Sequence, residues 1–80
     1  PEEGIQFTVG TNSTSLKQVF YRANQNIQNI YVFDVHGRFL LHDQPNAAEG
    51  SIQFNASTGV IIIRSILRDG SIVTEKLSAL

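Results

Sequence analysis

The sequence predicts an all-β fold: an Ig-like antiparallel β-sandwich of about seven short strands. Three observations carry that expectation. Apolar residues alternate with polar ones at period two, β-branched and aromatic residues cluster in runs of four to eight, and turn-forming residues recur every 8–12 positions. Ile5, Phe7 and Val9 alternate with Gln6 and Thr8 as a first strand, and 11–15 is a polar turn or loop. Residues 16–21 form a second apolar stretch, with 24–26 (Asn-Gln-Asn) read as the next turn. Leu16, Val19, Phe20 and Ala23 also fit helical spacing, but the β-branched and aromatic content of 16–21 favours a strand.

Residues 30–35 are the strongest early strand. His36-Gly37 then reads as a two-residue type I′ connection into a strand over 38–42. The stretch 43–50, with Pro45, Asn46 and Gly50, reads as a surface loop, followed by a short strand over 51–55 and a turn at 55–59. Residues 60–67 are the longest strand, Asp69-Gly70 marks a second tight hairpin, and 72–80 closes the chain. The run Val60-Ile61-Ile62-Ile63 is apolar on both faces. A strand with one wet face alternates, so either both faces are covered or a strip is offered to another chain. The aromatics (Phe7, Phe20, Tyr21, Tyr31, Phe33, Phe39, Phe54) mostly fall in strands and read as core.

The chain of 80 residues makes a single domain, 1–80. At 8.8 kDa the folded surface should be roughly 4,800 Å², leaving little room for a deep active site. Six basic residues against seven acidic ones, net charge −1, provide no field for nucleic acid. There is no cysteine, which excludes disulfides, zinc knuckles, iron–sulfur clusters and thiol catalysis. No apolar run approaches the length of a membrane-spanning helix, and export would need a signal upstream of residue 1. His36 and His42, with Asp34 and Asp43 nearby, do not make a convincing metal site across a hairpin. No nucleophile elbow or phosphate loop is present, so neither catalysis nor a cofactor is expected. Asn12-Ser13-Thr14 and Asn55-Ala56-Ser57 match the N-glycosylation sequon, read as coincidence in a chain this rich in these residues. The C-terminal strand is a candidate open edge, and strand exchange into a homodimer follows from it.

The second half carries a family resemblance. The segment Ile30-Tyr31-Val32-Phe33-Asp34-Val35-His36-Gly37-Arg38-Phe39-Leu40 resembles the hallmark of type IX secretion system C-terminal sorting domains (the Por secretion system C-terminal domain family) of Bacteroidota: an apolar strand into Asp-x-x-Gly-Lys/Arg, then a second apolar strand. Gly59 followed by 60–63 and Arg64 resembles the family's next motif. Asp69-Gly70, then Thr74-Glu75-Lys76-Leu77, resembles its closing hairpin. The resemblance spans about 50 residues, 30–80, and rests on the order of three motifs that are each weak alone. The chain departs from the pattern at Ile61, where the family often has an aromatic, and in its ending Leu77-Ser78-Ala79-Leu80.

The resemblance implies a non-catalytic sorting signal. It would direct an attached cargo from the periplasm through the outer-membrane translocon to the cell surface or beyond. A cell-surface sortase would then remove it, cutting at or before residue 1, and join the cargo to anionic lipopolysaccharide. Within that reading Asp34, Gly37, Gly59, Asp69 and Gly70 shape turns and the entry into a strand, while Arg38 and Lys76, with Leu77 beside it, are the recognition candidates. Two rivals are a retained surface-anchoring or signalling domain of a secretion-system component, which would bind lipopolysaccharide tightly, and an Ig-like adhesion or carbohydrate-binding module.

Overall fold

The computed structural model describes residues 4–10, 16–56 and 59–78, and these form six antiparallel strands with no helix. They are β1 (Ile5–Val9), β2 (Leu16–Asp34), β3 (Phe39–Asp43), β4 (Ala47–Asn55), β5 (Val60–Leu67) and β6 (Ile72–Ser78). The expected loop at 11–15, the first sequon and Ser57 of the second lie outside the described residues, as do 79 and 80.

The spine is β2, 19 residues long. Along one side it pairs first with β4 and then with β3, which run nearly end to end. Along the other side its first half pairs with β1 and its second half with β5, and β6 pairs with β5. The sheet therefore has an N-terminal wing (β1, the first half of β2, β4) and a C-terminal wing (β3, the second half of β2, β5, β6). It curls so that both wings contribute to one hydrophobic cluster, including Ile5, Val19, Tyr21, Ile52 and Phe54 from the first and Ile30, Val32, Ile61, Ile63 and Val73 from the second. The surface left exposed is 4813 Å².

The bend explains two departures from the sequence reading. Residues 24–26 are not a turn but the middle of β2, so two expected strands are one. Between Arg22 and Ile27 the pairing with β4 shifts from Glu49 to Ala47, so five steps of β2 face two of β4 and the spine takes the outside of the curve. Polar, turn-prone residues suit that exposed path. Residues 47–50, read as loop, belong to β4, and the break is confined to 44–46, where Pro45 precedes Asn46 at φ 49°.

Inward residues of β2 are odd-numbered up to Ile27 (Lys17, Val19, Tyr21) and even-numbered from Ile30 on (Val32, Asp34). The switch is a β-bulge. Ile27 pairs with Leu67 and Asn29 with Ile66, which leaves Gln28 as an extra residue. A one-residue insertion reverses which side chains face the core, and here it keeps the apolar set inside on both wings.

Ser65 is fully buried between Ile30 and Val73, and its hydroxyl has no hydrogen-bond partner among the described residues. A buried, unpaired hydroxyl costs free energy. Ser65→Ala is expected to raise stability by about 1 kcal/mol in urea unfolding. A loss of that size would show instead that the hydroxyl is paired.

Candidate recognition surface

Both resemblance turns have the same construction. In the first, Asp34 N–H donates to the Arg38 carbonyl (2.9 Å) and Gly37 N–H to the Asp34 carbonyl (3.0 Å). In the second, Leu67 N–H donates to the Ser71 carbonyl and Gly70 N–H to the Leu67 carbonyl, both at 2.9 Å. Gly37 and Gly70 have φ of 85° and 91°, whereas neither His36 nor Asp69 has positive φ. A type I′ turn needs positive φ at both central residues. These connections are therefore three-residue loops, each a turn followed by a left-handed glycine. A Cβ at either glycine would meet nothing within 4 Å, so backbone conformation, not space, selects glycine here.

Asp34 is 5% exposed and caps its turn. One carboxylate oxygen accepts from the backbone N–H groups of His36 (2.9 Å) and Arg38 (2.8 Å). The other lies 3.5 Å from Arg38 Nε. The Arg38 N–H bond foremost, then that of His36 and the charge of Arg38, holds the carboxyl below its ordinary value against the opposing effect of burial. Arg38 is thus exposed, as expected, but tethered to Asp34.

Asp69 accepts from the hydroxyl and N–H of Ser71, and these two bonds, with a weaker one from Gln25, also lower its pKa. Gln25 in turn accepts from Asp69 N–H (3.1 Å), and Arg68 N–H donates to the Asn26 carbonyl (2.9 Å). The second turn is thereby fastened to the bend of β2.

A folded-state pKa held low contributes stability above the unfolded value, which is lost as pH falls through the folded one. Stability should therefore decline below about pH 4, and Asp34→Asn should show a shallower acid limb. Urea midpoints measured from pH 6 to pH 2 test this; superimposable acid limbs would remove Asp34 as a contributor.

Gly59 lies half-buried at the entry to β5, and Leu77 packs against the core. Lys76 points the other way and is exposed. The register places it in a cross-strand row, Lys76–Ile62–Phe33–Phe39, on the outer face of the C-terminal wing. The next row is Thr74–Arg64–Tyr31–His42, and the next Ile72–Ile66–Asn29. Phe33 and Phe39 meet edge-on with centroids 6.0 Å apart, and Tyr31 and His42 stack at 4.5 Å. His42 is further fixed by Asn29 at 3.0 Å. No carboxylate is among the outward residues of these four strands. Asp43 and Glu75 pair with the core residues Ile30 and Ile63, and Asp34 is buried.

This face corrects the reading of the aromatics as core. Tyr21 and Phe54 are buried, but Phe39 is 55% exposed, Phe20 46% exposed, and Tyr31 and Phe33 half-buried. It also resolves the apolar run of β5: Ile61 and Ile63 are core, while Val60 and Ile62 are half-buried on the outer side. Arg64, Tyr31 and Phe33 were not singled out for recognition. Their signal was parity with Ile62, readable only once β2 and β5 were known to pair.

The outer face of the N-terminal wing is different. Phe20 stands between Thr8 and Ser51, beside a row of Gln6, Arg22 and Glu49, in a shallow groove of about 550 Å³. Arg22 and Glu49 form an exposed ion pair at 3.3 Å. No protein-family model matches the chain, and no curated protein matches it.

Proposed function

We propose that this chain is a non-catalytic sorting domain that carries an attached cargo through the type IX secretion system to the outer-membrane surface, read as a folded surface by the translocon and then by a cell-surface sortase. The observation that carries the reading is the outer face of the C-terminal wing. It combines half-buried aromatics and isoleucines with Arg64 and Lys76 and bears no carboxylate. An apolar face rimmed by charge marks an interaction site on a domain with little else to offer. The Asp34–Arg38 turn, which joins β2 to β3 of this face, adds a third cation.

The test is a periplasm-targeted fluorescent reporter fused to 1–80. It should reach the surface only in cells with an intact type IX apparatus, and periplasmic retention of the folded fusion there would overturn the reading. Truncation at Lys76 is a poor probe, because it also removes the pairs Ile62–Lys76, Ile61–Leu77 and Val60–Ser78 and the packing of Leu77. Lys76→Gln and Arg38→Gln leave the strand pairing in place, and each is expected to lower surface display, Lys76→Gln without changing the melting curve and Arg38→Gln with a small fall in it from the lost contact to Asp34.

One observation favours a second reading, a carbohydrate-binding module. Phe20 is an exposed ring among amides, hydroxyls and an ion pair, a setting suited to stacking against a sugar. Saccharide binding lost in Phe20→Ser, together with failure of export, would select it.

A further inference from the structure

We infer that β6 is the acceptor for an extended, acidic segment of a partner protein, which adds to its open edge as the next antiparallel strand. This deepens the sorting reading, on whose recognition face it rests, by naming the partner's chemistry.

The edges of the sheet are not alike. β1 has five residues and lies between Gly4 and Gly10. β3 has five residues and a register shift, with Phe39 and Leu41 paired to the adjacent Phe33 and Val32. β4 contains Gly50, shifts register at the bend and follows the Pro45-Asn46 kink. Short length, bulges, glycine and proline all blunt an edge against strand addition, and charged side chains do so as well. β6 has only the last: Lys76 on the outer face and half-buried Glu75 on the inner one, which admit an incoming strand only where its own charges complement them. It runs seven residues in unbroken register with β5, contains no glycine or proline, and has no strand on its far side among the described residues.

The side chains state what the added strand must carry. Outward positions Thr74 and Lys76 continue the rows of Arg64 and Ile62, so the incoming residues opposite them sit on a face with two cations and no carboxylate. Acidic residues fit there. The inward positions are Val73, Glu75 and Leu77. Val73 and Leu77 continue the core, so the incoming residues beside them should be apolar, while the half-buried Glu75 between them disfavours a carboxylate on that face and leaves the acidic positions to the outer one.

A second copy of the chain fits less well. In a two-fold antiparallel pairing of β6 with itself, opposed residues share a face. Glu75 and Lys76 are adjacent and point to opposite faces, so neither can oppose the other. Centring the pair on Glu75 sets Glu75 against Glu75, and centring on Lys76 sets lysine against lysine. Centring on Thr74 leaves both charges against Val73 and Ile72.

The test uses the purified 80-residue chain and two synthetic octapeptides, alternating valine–glutamate and alternating valine–lysine, followed by amide NMR. The glutamate peptide should bind, shift the amides of 72–78 and give intermolecular contacts to them, while the lysine peptide binds less. Lys76→Glu should weaken the glutamate peptide about fivefold, the size of one cross-strand charge pair, and reverse the preference. Equal binding of both peptides, shifts centred on β1, β3 or β4, or a concentration-dependent homodimer through β6 would each overturn the inference. Because this assay needs no cells, it can fail while the export reading stands, and the reverse.

Discussion

Inserting one alanine between Asn29 and Ile30 is expected to abolish folding, although it removes no native side chain. Gln28 is already the one extra residue of β2 between Ile27 and Asn29. If pairing continues past the insertion, the alanine takes the inward place opposite Ser65, Ile30 and Val32 turn outward, and Tyr31 and Phe33 turn in. Each fully buried aliphatic side chain is worth about 1.5–3 kcal/mol, so two alone remove roughly 3–6 kcal/mol. A domain of 80 residues has a net stability of about 4–12 kcal/mol at the usual 0.05–0.15 per residue. Asp34, which caps the first turn from the same inward row, would be turned out as well. Deleting the exposed Gln28, by contrast, removes only the bulge: Ile27 and Ile30 then stand two residues apart and both stay inward, so that variant should fold. Circular dichroism and urea unfolding compare the two. A cooperative transition in the insertion variant, with native protection of the 30–34 amides from exchange, would show that the bulge absorbs a second extra residue and that parity is not fixed there.

The same bulge marks how far the sequence could be read. Class and most strand positions were legible because period-two alternation is local: Ile5, Ile52 and Phe54 are buried and Phe7 and Val9 pack against the core, the residues the pattern selects. The two glycine turns were legible too, since only the backbone at Gly37 and Gly70 demands that residue. Their type was not, because it depends on the φ of His36 and Asp69, which composition does not encode. Nor was the continuity of β2. Asn24, Gln25 and Asn26 have turn chemistry, and only tertiary bonds hold them extended: Asn24 N–H to the Gly4 carbonyl, Arg68 N–H to the Asn26 carbonyl, and the Gln25–Asp69 pair. For the recognition surface, Arg38 and Lys76 were found from motif position. The aromatic rows between them needed the register of four strands, a non-local quantity.

The second large effect separates the two faces of β5. Ile63→Ala should cost about 2–5 kcal/mol, because Ile63 is fully buried between Val32 and Glu75 and the cavity left cannot close against a curled sheet. That is a large share of the whole stability, and the variant should unfold at much lower urea with an unchanged slope. Ile62→Ala, one residue away, removes the same atoms from a half-buried outer position between Phe33 and Lys76. Its cost should be about 1 kcal/mol, since only part of that side chain leaves water on folding. The order reverses for recognition. Ile62→Ala strips the centre of the Lys76–Phe39 row and should reduce binding of the acidic peptide and surface display, while the chain stays folded. Paired urea and peptide titrations of the two variants decide the matter. If Ile62→Ala proves as destabilising as Ile63→Ala, the outer row is a second core layer covered by the chain itself, and the apolar run of β5 has no partner to seek.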